Sequence, residues 1–493
     1  MRFAVLAVIA AGCGGRPAPP AAAPPSGLPG FAAARWVPER PLYLATGASV
    51  LDGQRAARDA IDLLAAATGF DLRDAMRNST ALFGVDALHP DPLAAIGVDL
   101  HGGWAVFGGD PSPTLVVHLA APAEMAAFLA RQRARVVTRT AVVDRVEVTS
   151  ATLPIGATVS LAIDGDWMWI HLALPGTPDD GGRWFTASHA AHGASWTGDW
   201  AWAQRAAGAA ASLVGILDLR GALAAGVARL PDAVACAHLA EPIGRISLAV
   251  EGDEHHVSAR LGLDAGAAAI DRLRAMLLPA PTGWTAATAG AAIAAQWNLD
   301  LAAARPQLAP CLAAAGAQLG IADEAGVRAA RAVLVNFDPD RTSGSGAIAL
   351  DVTSPAFLDR QLDRIPLRHT LERARTFGPY RGHAISIPFS VTIEYVLDRQ
   401  LAIAALGEGL VARLVAPGPA QPPPIAALDL APPAMSARGW EAVIDGIAEG
   451  RIDGTPGPAT RRAVAHLMAW RDAHLAVTAD GGEIVVTASG RRR

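Results

Sequence analysis

Thr158-Val159-Ser160-Leu161-Ala162-Ile163-Asp164-Gly165-Asp166-Trp167-Met168-Trp169-Ile170-His171-Leu172 is the stretch whose reading decides the fold. Two strand-like runs flank the polar pair Asp164-Gly165, which is a hairpin signal. A second pair of the same form runs from Val391 to Ala405 and turns at Asp398-Arg399. Working outward, the strand Thr114 to Leu119 and the helix Pro122 to Leu129 precede the first hairpin. The strand Gly346 to Val352 and the helix Pro355 to Leu362 precede the second. Leu213 to Leu219 is echoed by Ile425 to Leu430. The hairpin Ile246 to Leu261, with Glu251-Gly252-Asp253 at its turn, is echoed by His474 to Thr487, with Asp480-Gly481-Gly482.

The matched elements recur in one order at a shift of about 210–235 positions, too long for a solenoid and fitting a duplicated domain. The expected fold is therefore α+β: two tandem domains, each an antiparallel meander with helices on one face. Helices are expected at Asp52 to Ala67, Ala267 to Leu278, Gly439 to Ala448 and Pro458 to His474, with a short one opened by Asp91-Pro92 and closed by Gly97. Pro and Gly cluster at Leu278-Pro279-Ala280-Pro281-Thr282-Gly283, which sets the boundary between copies. The expected division is 1–12 signal peptide, 13–34 linker, 35–283 first domain and 284–490 second domain.

At the N-terminus, Arg2 is followed by an uncharged apolar run and then by Ala10-Ala11-Gly12-Cys13. A basic start, an apolar middle and small residues before a cleavage point make a secretion signal. The run falls well short of the ~20 apolar residues that span a bilayer. Ala10-Ala11-Gly12-Cys13 resembles the lipobox of bacterial lipoproteins, although Ala10 stands where that motif usually has Leu. The resemblance implies that Cys13 is acylated and becomes the new N-terminus. It implies a membrane partner through the lipid anchor, and an exported protein at the outer membrane, facing the periplasm or the cell surface. The Pro/Ala-rich spacer behind Cys13 favours extended polyproline II, at ~3.1 Å per residue. The strand–helix–hairpin body behind such an anchor is similar to groups of uncharacterised exported proteins of GC-rich bacteria, to which no activity attaches.

The chain has 493 residues, 52% of them hydrophobic, and a net charge of −5. That charge lacks the basic footprint of a nucleic-acid binder. All 41 basic residues are arginine, which excludes a phosphate-loop lysine, a Schiff-base lysine and a Ser-Lys dyad. With Cys13 acylated, Cys236 and Cys311 remain. They either pair, as leftover cysteines in an oxidising compartment often do, or stay as buried thiols. A bridge would close a loop of about 75 residues and stabilise by about 2–4 kcal/mol.

No serine-hydrolase elbow, zincin motif, Cys-x-x-Cys or dinucleotide fingerprint is present, and no cofactor or metal is expected. His189 and His192 lie three apart, with Asp199 the nearest further ligand, but the polar surroundings read as a surface loop. His255-His256 and Asp338-Pro339-Asp340 read as solvated turns. Tryptophan carries more signal. Trp167, Trp169 and His171 alternate and share one face of a strand, and Trp184, Trp196, Trp200 and Trp202 follow. Trp167, Trp169, His171, Trp196 and Trp200 form a candidate binding face for an envelope polymer or protein. Packing between sheet and helices accounts for the same rings, because large side chains fill space beside small neighbours.

Two functions of different class follow. One is a lipid-anchored, non-catalytic binding or scaffolding module of the envelope, with a carrier of an apolar ligand as its variant. The other is a hydrolase of envelope polymers or lipids, with Asp164, Asp166 or the His189/His192 region in a cleft.

Overall fold

A computed structural model describes residues 31–493 except 39–40, 56–84, 87–88, 135–136, 154–155, 177–181, 191–210, 226–241, 254, 315–325, 342, 366–367, 388–390, 419–421 and 450–456. Cys13, His192, Trp196, Trp200 and Cys236 lie outside these residues. The choice between a Cys236–Cys311 bridge and two thiols therefore falls outside them too, although Cys311 lies within the helix Leu301–Ala314.

Alternating apolar patterns and tight turns produce twenty strands among the described residues. The first ten are β1 (Tyr43–Gly47), β2 (Trp104–Gly108), β3 (Thr114–His118), β4 (Thr138–Val143), β5 (Val146–Thr152), β6 (Thr158–Asp164), β7 (Trp167–Ala173), β8 (Leu213–Asp218), β9 (Arg245–Gly252) and β10 (His256–Asp264). The next ten are β11 (Ile293–Trp297), β12 (Val327–Asp338), β13 (Ser343–Val352), β14 (Glu372–Phe377), β15 (Tyr380–Ser386), β16 (Thr392–Asp398), β17 (Leu401–Leu406), β18 (Ala426–Leu430), β19 (Trp470–Asp480) and β20 (Glu483–Arg492). The quoted stretch is the β6–β7 hairpin, in which Asp164 opposes Trp167 and Gly165 takes the left-handed φ of 58° that the turn requires. At the β4–β5 turn Asp144 and Arg145 both have positive φ, 49° and 70°, the signature of a type I′ hairpin.

All strand pairings are antiparallel, and their order across the sheet is β4-β5-β6-β7-β3-β2-β1-β8-β9-β10-β20-β19-β18-β11-β12-β13-β17-β16-β15-β14. Every pairing within β1–β10 recurs within β11–β20 with the strand number raised by ten. Three expectations are corrected here. The halves do not carry separate sheets, because β10 and β20 pair from His256↔Arg491 to Asp264↔Glu483 and make one 20-stranded sheet. Neither half is a plain meander: β1 lies between β2 and β8, and β7 returns to pair with β3, so β4–β7 extend outward as an inserted meander.

Nor do the helices keep to one face. On β7, Trp167 and Trp169 pack against the 3-10 helix Ala32–Trp36 and the helix Arg183–His189. Met168 and Ile170, on the opposite face, pack against Met125, Phe128 and Leu129 of the helix Pro122–Arg133. That helix starts on Pro122 with Glu124 in its first turn and ends with Arg131 and Arg133, each matched to the dipole. The second half repeats the layering. Ile403 and Ala405 meet Leu410, Val411 and Leu414 on one face, while Ala404 and Tyr395 meet Leu358 and Leu362 on the other. Both faces of the strands bury apolar side chains, and covering only one would leave the other wet.

Between the halves, the connector passes so close to the helix Leu410–Leu414 that a Cβ on Gly283 would sit 1.9 Å from the Arg413 carbonyl oxygen. Near the C-terminus the helix beginning at Pro458 ends at Leu467, and a strand starts at Trp470 where a helix to His474 was expected. Pairing of Trp470 with Arg492 and of Asp472 with Arg491 overrides the local helical pattern there. No helix among the described residues is long and apolar enough to cross a membrane.

Candidate functional site

The candidate binding face resolves first. Trp167 is 4% exposed and Trp169 is fully buried, so these two members of the candidate face are core, while Trp196 and Trp200 lie outside the described residues. Trp169 Nε1 donates to Ser188 Oγ at 2.9 Å, and Ser188 Oγ donates to the Trp36 carbonyl at 2.6 Å. Trp36 meets Trp167 and Trp169 edge-on, with centroids 6.0 and 5.1 Å apart. The third member, His171, is half-buried, stacks on Trp184 at 4.9 Å and shares a hydrogen bond of 3.0 Å with Thr114 Oγ1. The physical cause is volume: Ala33, Ala34, Ala105 and Ala162 surround the rings, and close packing requires something large between them.

Ionisable groups gather at the turn that the tryptophans support. His118 ends β3 directly opposite Trp167. Its Nδ1 reaches Asp99 Oδ2 at 2.8 Å and its Nε2 reaches Asp166 Oδ2 at 3.0 Å. The second contact ties β3 to the β6–β7 turn. On the other side of that turn, His189 Nε2 reaches Asp164 Oδ2 at 2.9 Å, and the His189 ring stacks on Trp36 and Phe185. The Arg35 guanidinium lies 4.6 Å over Trp36 and 5.0 Å over Trp167. Hydrogen bonding to His118 holds the Asp166 carboxyl below its ordinary value against the opposing effect of burial, and Arg35 adds a weaker pull in the same direction.

One hairpin turn carries Asp164 and Asp166, the first bonded to His189 and the second to His118 on the other side, while His192 lies outside the described residues. Asp99, His118, Arg35 and Trp36 escaped sequence reasoning, since strand register and the docking of a short helix bring them in from distant positions. His255 and His256 do form a turn, where both backbone N–H groups donate to Asp253 Oδ1. Asp338 likewise accepts from the backbone of Asp340 and Arg341. Among the described residues, no group of three or more His, Cys, Asp or Glu side chains is placed to hold a metal ion.

Asp99 and Asp166 thus occupy both ring nitrogens of His118. A hydroxyl–imidazole pair, Thr114 with His171, has its threonine 3% exposed, out of reach of a bulky substrate.

The second half replaces this aromatic cluster. Asp351 stands opposite Leu401 as His118 stands opposite Trp167, and it binds Arg331 instead. Arg331 is 1% exposed. It donates to Asn298 Oδ1 at 2.8 Å, to Asp351 Oδ2 at 2.6 Å and to the Pro279 carbonyl at 2.8 Å. It therefore fastens the connector between the halves to β11 and β12.

Near the β10–β20 seam, His474 hydrogen-bonds Asp429 on the neighbouring strand β18. That bond raises the His474 imidazole above its ordinary value, with burial opposing. A raised histidine stabilises the fold fully below its unfolded value of about 6.5, and the contribution disappears as pH rises through the folded value. Thermal unfolding from pH 5.5 to 8.5, a range set to bracket that value of about 6.5, is expected to show the wild-type advantage over Asp429→Asn shrinking with pH. A constant difference would refute the linkage.

No family model matches the chain, and no curated protein matches it. Among solved structures, crystal form III of TP0453 aligns with 50% of this chain and 86% of its own length, at 8% identity and a TM-score of 0.29. Crystal form I of TP0453 aligns with 49% of this chain and 79% of its own, at 10% identity and a TM-score of 0.29. A likeness of that size leaves the functional reading to the residues themselves.

Proposed function

We propose that the chain is a lipoprotein of the bacterial envelope, held through an acylated Cys13, and that its body is a non-catalytic binding or scaffolding module made by duplication of a ten-strand unit. The site observation that carries the non-catalytic reading is the engagement of both His118 ring nitrogens by Asp99 and Asp166. A general base needs a nitrogen that reaches substrate, so the geometry favours a structural clasp over a hydrolase. Support for duplication comes from the pairing scheme, repeated strand for strand at an offset of ten, together with the repeated helix layering. Support for the anchor remains the N-terminal signal with its cysteine and Pro/Ala spacer.

Detergent phase partitioning of the full chain, coupled to crosslinking in the native envelope, tests the reading. Wild type is expected in the detergent phase with a discrete crosslinked partner, and Cys13→Ser in the aqueous phase with that adduct lost. Detergent partitioning of Cys13→Ser would overturn the anchor.

A further inference from the structure

Among the described residues the sheet ends in two edge strands, β4 and β14, which hold equivalent places in the two halves. An exposed strand edge presents unpaired backbone groups and templates pairing with another chain unless charge guards it. β14 is guarded. Its residues Arg373, Ala374, Arg375 and Thr376 are exposed, with Arg375 held by Glu394 and Glu408. β4 is not. Arg139, Thr140, Ala141 and Val142 are all exposed, and Arg139 is the strand's only charge. Val142 is 75% exposed and the preceding Val137 is 91% exposed, more than any other large hydrophobic side chain described.

We propose that β4 is a self-association edge, pairing antiparallel with β4 of a second copy of this chain about a two-fold axis at Thr140. Such an axis sets opposite each other residues whose numbers sum to a constant, and side chains keep to their own face only when that constant is even. Centred on Thr140, Arg139 meets Ala141 of the second copy, Thr138 meets Val142, and Val137 meets Val143. The two exposed valines find β-branched partners, and no like charges oppose. β14 lacks this complementarity: axes centred on Arg373, Ala374 or Arg375 all set arginine against arginine. The second copy is therefore the occupant whose charge and shape the edge already matches. Pairing is the device that joins β10 to β20 within the chain, repeated here between chains.

The test uses the full chain carrying Thr140→Cys. Directly opposed strand residues lie ~4.5–5.5 Å apart between Cα atoms, inside disulfide range. Mild copper–phenanthroline oxidation is expected to give a species of twice the chain's mass, absent from wild type and from Ala374→Cys on the β14 edge. Moving the cysteine to Arg139 or Ala141 should weaken that species. Adding Val142→Lys to Thr140→Cys should abolish it, with circular dichroism unchanged because Val142 buries little. Equal yields from Thr140→Cys and Ala374→Cys, a dimer that survives Val142→Lys, or adducts only to other proteins would each overturn the proposal.

Discussion

Arg331→Met lowers the unfolding free energy by about 3–5 kcal/mol, the range seen when one partner of a buried ion pair is removed. The reason is geometric. Arg331 is 1% exposed, and four acceptors from three segments converge on its guanidinium: Asn298 of the β11 exit, Asp351 of β13 and the Leu278 and Pro279 carbonyls of the connector. Methionine fills most of the space but donates nothing, leaving those oxygens without partners in a low-dielectric interior. Arg331→Lys keeps the charge and still loses most of the effect, since one ammonium cannot reproduce the planar fork. Urea unfolding followed by circular dichroism measures the change. A loss below about 1 kcal/mol, the scale of an ordinary net hydrogen bond, would show that the network adds little.

Trp169→Ala costs a comparable amount, about 3–5 kcal/mol, through the cavity it opens. Trp169 is fully buried among Trp36, Phe185 and small alanines. Its loss also removes the donor to the Ser188 hydroxyl, which keeps only its own bond to the Trp36 carbonyl. Trp169→Phe retains most of the ring volume and loses the Nε1 bond, so a smaller drop of about 1 kcal/mol is expected. Thermal unfolding separates this core role from the ligand face that alternation alone allowed. A Trp169→Ala protein as stable as wild type, yet deficient in partner capture, would restore the ligand face.

The same tryptophan shows where sequence reasoning reached its limit. Its strand, the turn beside it and its alternation with Trp167 and His171 were legible locally. Its surroundings were not, because Ala33, Ala105 and Phe185 come from separate elements that only packing brings together. The turn residues Asp164 and Asp166 were likewise visible as candidates, whereas Asp99 and His118 became their neighbours through the β3–β7 register. In the second half, Arg331 offered no sequence signal, since an isolated arginine in an alanine-rich strand looks like any solvated charge.

By itself the sequence determined the local elements: hairpins where glycine and aspartate permit positive φ, helices opened by proline, and the ordered recurrence of strand, helix and hairpin across the chain. Only the tertiary structure decided that the strands make one sheet, that both faces are covered, and that Trp167 and Trp169 lie inside. Hairpins and caps are set by the conformational preferences of adjacent residues, whereas the β10–β20 seam and the acid–histidine turn depend on backbone hydrogen bonds and close packing between residues far apart in the chain, which no local pattern encodes.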